Sequence, residues 1–291
     1  MTLDLRSVRD TPHNVKEPDS SACEAGGNVT VKGLGPTVIV NADDWGLDAQ
    51  TTGRSLDCVL REVVSSVSAM VFMQDSERAA DLARKHAVDV GLHLNLTTPF
   101  SARQCPSRLM ERQRALTRFL RSHRIAPAIY HPGLAAAFEY VVSAQFEEFE
   151  RLHGAAASRV DGHHHMHLCA NVLRQKLLPA GIIVRRNFSF GPGEKGYINR
   201  LYRRRQDRGL ARRHRLTDFF FALLPCAPRR MERIFDLASR FNVEIETHPV
   251  NPEEYRFLVD GELLRYAGEG AVARGYIMRP LGRAPGVGEV L

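Results

Sequence analysis

Short apolar runs alternate with amphipathic helical stretches from Thr37 to Thr247, and no other feature of this sequence limits its fold as much. Thr37-Val38-Ile39-Val40-Asn41 has the continuous apolar character of a buried parallel strand. The pattern then predicts a helix near 49–64, a strand at 66–72, a helix over 76–86 and a strand over 88–96. Pro99, Pro106 and Pro127 break the periodicity up to His131, an excursion expected to carry one or two helices. His131-Pro132-Gly133 opens a long helix reaching about His153. It is followed by a strand at Arg159-Val160-Asp161, a helix over 171–178, a strand over 182–186, a helix over 229–241 and a strand over 243–247. Such alternation is the signature of βαβ units around a parallel sheet. The expectation is one α/β domain over 37–291, the size of a β/α barrel or a distorted relative. Residues 1–36, punctuated by Pro12, Pro18, Gly26, Gly27 and Pro36, read as a disordered leader.

Composition narrows the partners. The longest apolar stretch, around 219–224, is far shorter than the ~18 residues of a membrane span, and the N-terminal region lacks the apolar core of a secretory signal. A cytoplasmic protein with no transmembrane segment is therefore expected. Cys23, Cys58, Cys105, Cys169 and Cys226 are odd in number and never spaced as CxxC, which suits neither a disulfide framework nor a cysteine zinc site. The net charge is +7, and the window Arg200 to Arg215, with eight arginines and Asp207, accounts for all of it. So local a concentration argues for one cationic loop or helix and against a nucleic-acid-binding face. It reads either as a solvated insertion or as a contact for an anionic substrate, headgroup or partner.

Four polar clusters fall at the C-terminal ends of predicted strands, the edge where parallel α/β folds bind ligands. They are Asp43-Asp44, His93, the run Asp161-Gly162-His163-His164-His165-Met166-His167, and Glu244-Ile245-Glu246-Thr247-His248. On its strand His93 shares a face with Gly91 and Asn95, opposite Leu92 and Leu94. Four imidazoles within five residues have no packing rationale, because each ring nitrogen needs a partner, whereas neutral imidazole ligates zinc, copper, iron and nickel. Adjacent carboxylates after a buried strand call for a cation or dense hydrogen bonding, and Asp48 is the better helix N-cap. Glu244 and Glu246 share the face of His248 at i, i+2 spacing, so that either could orient its imidazole or raise its basicity, and Pro249 holds His248 extended. Arg185, at the end of its strand, reads as a substrate contact or a structural ion pair.

Val40-Asn41-Ala42-Asp43-Asp44-Trp45-Gly46-Leu47, Val90-Gly91-Leu92-His93-Leu94, Asp161 to Leu168 and His248-Pro249 together resemble, in order and spacing, the YdjC-like carbohydrate deacetylase family, which includes chitooligosaccharide deacetylases and a hopanoid-biosynthesis relative. The resemblance runs from about Thr37 to about Pro280. It implies a distorted, TIM-like β/α barrel of the metal-dependent deacetylase type. It also implies metal ligands at Asp44, His93 and His163, a catalytic base at Asp43 and a proton donor at His248. Zinc suits that ligand set best, with magnesium, manganese or cobalt as alternatives. Trp45 stands where the family usually has phenylalanine and would keep an aromatic wall. Ala170 stands where proline is common, and the Arg200 to Arg215 segment has no assigned counterpart.

The function implied is removal of an N-acetyl group from an acetamido sugar, whether free or phosphate-, nucleotide- or lipid-linked, with no nucleic acid involved. Trp45, Asp161, His165, His167, Arg185, Glu244 and Glu246 are expected around substrate or ligands. Two other readings compete. Two histidines and a carboxylate also form the iron site of non-haem Fe(II) oxygenases, though that leaves Asp43 and His248 without work. Alternatively, the chain binds an anionic ligand through its arginine-rich segment.

Overall fold

A computed structural model describes residues 38–190, 194–267 and 272–279, so the predicted leader 1–36 lies outside the described residues. The first half runs β1 (Val38–Trp45), α1 (Ala49–Leu60), β2 (Ser66–Ala69), α2 (Ser76–Lys85), β3 (Val90–Leu94), α3 (Ser107–Leu120) and α4 (Ala135–His153). Then come β4 (Arg159–Gly162), α5 (Ala170–Arg174), β5 (Ile183–Val184), α6 (Tyr197–Leu210), β6 (Phe219–Ala222), α7 (Pro228–Ala238), β7 (Val243–Thr247), α8 (Pro252–Val259) and α9 (Glu262–Ala267). All strand pairs are parallel, in the order β5-β4-β3-β2-β1-β7-β6.

That order is the cyclic order of a barrel with one irregular seam, between β5 and β6. There the chain after β5 bonds directly to β6: the Ser189 N–H donates to Phe220 O at 2.8 Å, and the Phe220 N–H donates to Ser189 Oγ at 3.1 Å. Arg186 adds bonds to the carbonyls of Thr217 and Asp218. The fold is thus a seven-stranded α/β barrel distorted at that seam.

Alternation along each strand sorts the two surfaces. Val40 and Ala42, Leu92 and Leu94, Phe219 and Phe221, and Val243 and Ile245 join the apolar cluster under the helices. The intervening residues Asn41, Asp43, His93, Phe220, Glu244 and Glu246 fill the barrel interior. Every one of them is buried.

Several predicted boundaries shift for local reasons. The strand expected at 66–72 ends at Ala69, and Phe72 takes φ +58°. The helix expected over 171–178 stops at Arg174, just before Lys176 at φ +56°. The long helix starts at Ala135, after one 3₁₀ turn at Pro132–Leu134, and ends on Gly154 at φ +73°, a left-handed cap. Asp48 caps α1 as expected, accepting from Thr51 N–H at 2.8 Å. The arginine-rich window is largely helix α6, and β6 is a strand that the periodicity reading did not assign. Cys58, Cys105, Cys169 and Cys226 are free thiols. No helix among the described residues is long and apolar enough to cross a membrane.

Candidate functional site

The site is built at the C-terminal edge of the sheet, and its first element is an irregularity. Consecutive strand residues face opposite ways, yet Asp43 and Asp44 both approach His93. The β1–β2 register slips between Ala42 and Trp45, and Asp44 adopts φ +64°, a left-handed conformation that Asp tolerates better than most residues. The slip turns two adjacent carboxylates toward one centre.

His93 on β3 and Asp161 on β4 are register partners. His93 Nδ1 lies 2.7 Å from Asp161 Oδ1, and because an ionised carboxylate only accepts, the proton sits on Nδ1. That leaves Nε2 facing Asp44 Oδ1 at 3.2 Å. His163 Nδ1 lies 2.8 Å from the same oxygen. Asp44, His93 and His163 therefore offer three ligand atoms within 4.8 Å of one another. Bonds of ~2.0–2.2 Å to a central ion place ligand atoms roughly 3–4 Å apart, so the set has the size and chemistry of a divalent-metal site. A carboxylate behind a ligating imidazole is also the usual arrangement around such ions. Asp43, His93 and Asp161 are similarly close, but a guanidinium already occupies those carboxylates.

That guanidinium belongs to Arg185. It donates Nη1 to Asp43 Oδ2 at 2.6 Å and Nη2 to Asp43 Oδ1 at 2.7 Å, Nε to Glu244 Oε1 at 2.7 Å, and approaches Asp161 and Glu246 at 2.8 and 3.4 Å. Its face packs on the Phe220 ring, 4.9 Å from the centroid. Of the two readings of Arg185, the ion pair is the one the structure bears out and the substrate contact is not: the side chain is buried in the barrel and saturated by carboxylates.

The interior is short of positive charge. Asp43, Asp44, Asp161, Glu244 and Glu246 are all buried around one guanidinium and one imidazole. Burial resists charging His93, yet Asp43 and Asp161 outweigh it and hold the imidazole well above its usual range. Burial, with Asp43 and Glu244 adding to it, pushes Glu246 well above the usual carboxylate range. Burial also opposes ionising Asp44, but hydrogen bonds from His163 and His93 prevail and hold it well below that range. A divalent cation at Asp44, His93 and His163 would relieve this deficit, an independent reason for the fit.

The histidine run divides its labour. A Cβ on Gly162 would sit 2.8 Å from His167 Nδ1 and 2.9 Å from the His167 backbone nitrogen, so glycine lets the chain fold back at once. His164 and His165, at φ +54° and +57°, carry the turn. His164 Nδ1 lies 2.9 Å from Thr97 Oγ1, away from the ligand set. His165 Nε2 lies 3.7 Å from Glu246, with its ring edge-on to Phe188 at 4.7 Å. His167 is fully buried, 3.0 Å from Arg185 O, and anchors the end of β5.

Two further expectations are corrected. Glu244 and Glu246 do not orient His248: β7 ends at Thr247, and both glutamates turn to Arg185. His248 is instead beside Glu254 of α8, whose Oε2 accepts its backbone N–H at 2.7 Å and whose Oε1 lies 4.0 Å from His248 Nδ1. Trp45 is not an aromatic wall for substrate. It is fully buried and its indole N–H donates to Ala79 O at 3.1 Å.

The model of the YdjC-like protein family matches residues 37–266. The chain belongs to the YdjC-like family. Chitooligosaccharide deacetylases of Yersinia pestis (strain Pestoides F) and Yersinia pseudotuberculosis (strain YPIII) are each 33% identical to it over 153 residues, half of this chain. The chain spans 58% of the length of those relatives. A solved structure from Enterococcus faecalis V583, described as a cellobiose-phosphate cleavage protein, superposes with a TM-score of 0.57 at 18% identity, covering 83% of this chain and 98% of that one. It is similar in fold.

In this YdjC-like chain, three contributors escaped the reading of the sequence. Ser68 donates to Asp161 Oδ2 at 2.6 Å, and Asn41 Nδ2 donates to both Ser68 Oγ and Asp43 Oδ1 at 2.8 Å. Asn41 and Ser68 thus tie the two carboxylates together from below. Glu254 is the third, and its only local signal is the helix start at Asn251-Pro252.

Proposed function

We propose that this protein is a metal-dependent hydrolase that removes the N-acetyl group from an acetamido sugar or sugar conjugate. The observation that carries the reading is the meeting of Asp44, His93 and His163 beside a second, separately held carboxylate, Asp43. The named activity of the Yersinia relatives, over the half of this chain they match, points the same way.

Asp44, His93 and His163 would hold the ion, zinc by preference of an imidazole-rich set, with magnesium, manganese or cobalt as alternatives. Bound there, a divalent ion supplies Lewis acidity toward an acetamide carbonyl and acidifies water. The protein's own groups do the proton work. Asp43 Oδ1 accepts from Arg185 and Asn41, whereas Oδ2 accepts from Arg185 alone and keeps a lone pair free. Asp43 Oδ2 is thus the atom to take a proton from attacking water, and the guanidinium keeps it aimed. His248, its side chain 37% exposed and flanked by Glu254, would protonate the departing amine, the role that the family resemblance gives it. Each positioned proton-transfer group typically supplies ~10²–10⁴-fold.

The iron-oxygenase alternative gives neither Asp43 nor His248 a role, and nothing in the geometry favours it. The test is acetate release from N-acetylated chitooligosaccharides before and after chelation, in wild type, Asp43→Asn and His93→Ala. Loss of activity on chelation, restored by metal, and loss in both variants are expected. Full activity without metal, or in either variant, would overturn the assignment.

A further inference from the structure

The first two turns of α6 expose Tyr197, Ile198, Leu201 and Tyr202 at 71, 82, 50 and 50%. Their i, i+1, i+4, i+5 spacing gathers them on one stripe. The same face continues with exposed Arg205 and Arg208 and, just past the helix, exposed Arg212. The opposite face is what fastens the helix to the barrel: Leu210 is buried, and buried Asp207 accepts from Arg186 Nη2 and the Asn187 N–H, both at 3.0 Å. Beside the stripe, Tyr202 borders a cavity of about 430 Å³ lined by apolar Val172, Leu173 and Leu178 and by cationic Lys176, Arg205 and Arg213.

The stripe lies at the functional end of the molecule. α6 follows β5, so its N-terminus starts from the C-terminal edge of the sheet, where the candidate site is built. Phe188, in the intervening segment, packs on His165, and both Lys195 and Arg203 lie over the Phe190 ring, at 5.5 and 5.2 Å.

We propose that α6 is a docking helix for an anionic lipid bilayer surface. Tyr197, Ile198, Leu201 and Tyr202 enter the boundary between headgroups and acyl chains, and Arg205, Arg208 and Arg212 meet the lipid phosphates. Long arginine side chains reach headgroups while apolar neighbours sink below them, which is how one face accommodates both kinds of residue. A nucleic acid would satisfy the arginines but leave Ile198 and Leu201 in water. A second copy of this chain would set one arginine-rich face against another. With 14 residues, α6 is about 21 Å long at ~1.5 Å per residue, suited to lying on a membrane rather than crossing it.

The experiment is flotation of the full chain with vesicles of phosphatidylcholine alone, or with about one-third phosphatidylglycerol. Recovery with the anionic vesicles only, weakening as salt rises, is expected. Ile198→Asp/Leu201→Asp is expected to lower recovery by roughly tenfold or more, with an unchanged melting temperature because both side chains are exposed. Arg205→Gln/Arg208→Gln is expected to weaken it and flatten its salt dependence. Equal recovery on neutral vesicles, no recovery at all, or wild-type flotation of the aspartate variant each overturns the proposal. So does binding of RNA or DNA in the absence of flotation, or a concentration-dependent dimer that the aspartate variant abolishes.

Discussion

Arg185 and Asp43 meet as a fork on a fork, two parallel bonds of 2.6 and 2.7 Å between side chains no more than 3% exposed. Burial disfavours the charged guanidinium, but Asp161, Asp43 and Glu244 dominate and hold it firmly protonated. Lysine cannot reproduce this geometry. Arg185→Gln, which leaves the buried carboxylates without their counter-charge, is expected to cost about 3–5 kcal/mol of stability and to abolish turnover. Urea unfolding measures the first effect; an unchanged midpoint would show that the fork does not hold the carboxylates in the barrel.

Metal binding to the folded chain alone should raise its melting temperature by mass action, with ~2.7 kcal/mol of stabilisation at a free-ion concentration a hundredfold above Kd. His163→Ala removes a candidate ligand that is only 12% exposed and should suppress the zinc-induced shift. A His163→Ala protein that still responds to zinc like wild type would place the ion elsewhere.

Burial, with Arg84 adding repulsion, pushes His153 from 6.5 down to about 4. A depressed histidine binds fewer protons folded than unfolded, so its contribution to stability is complete above pH 6.5 and fades as pH falls toward 4. His153→Phe keeps the packing against Phe149, whose ring centroid is 4.4 Å away, and removes the titration. Between pH 7 and pH 5 the variant should lose less stability than wild type, as read by denaturant midpoints; an equal loss would contradict this assignment.

Trp45 is fully buried at the end of β1, next to Asp44, with its indole N–H on the α2 carbonyl of Ala79. Trp45→Phe should cost about 1–2 kcal/mol through lost volume and a lost hydrogen bond, and leave KM for an acetylated oligosaccharide unchanged. A raised KM at wild-type stability would restore the aromatic-wall reading.

The elements that could be read in advance were those whose local pattern matches their final setting. β1, β3 and β7 announce themselves because their outward faces are continuously apolar and their inward faces carry the polar residues of the centre. Asp43, Asp44, His93 and His163 stood out for the same reason: polar groups where an apolar strand should continue. β6, Phe219-Phe220-Phe221-Ala222, shows a bare apolar run with no period and so gave no assignment. The partners of Arg185 and of His248 were also beyond local pattern. They depend on where β7 stops and how α8 packs back, a tertiary outcome that leaves Glu244 and Glu246 with the guanidinium and gives Glu254 to the histidine.

The seam between β5 and β6 has a consequence for divergence. The strands that present Asp43, Asp44 and His93 pair through β1, β2 and β3, whereas α6 belongs to the connection between β5 and β6. The exposed face of α6 can be recharged without touching any strand register that holds Asp43, Asp44 and His93. The candidate site and the exposed face of α6 are thereby free to evolve at different speeds.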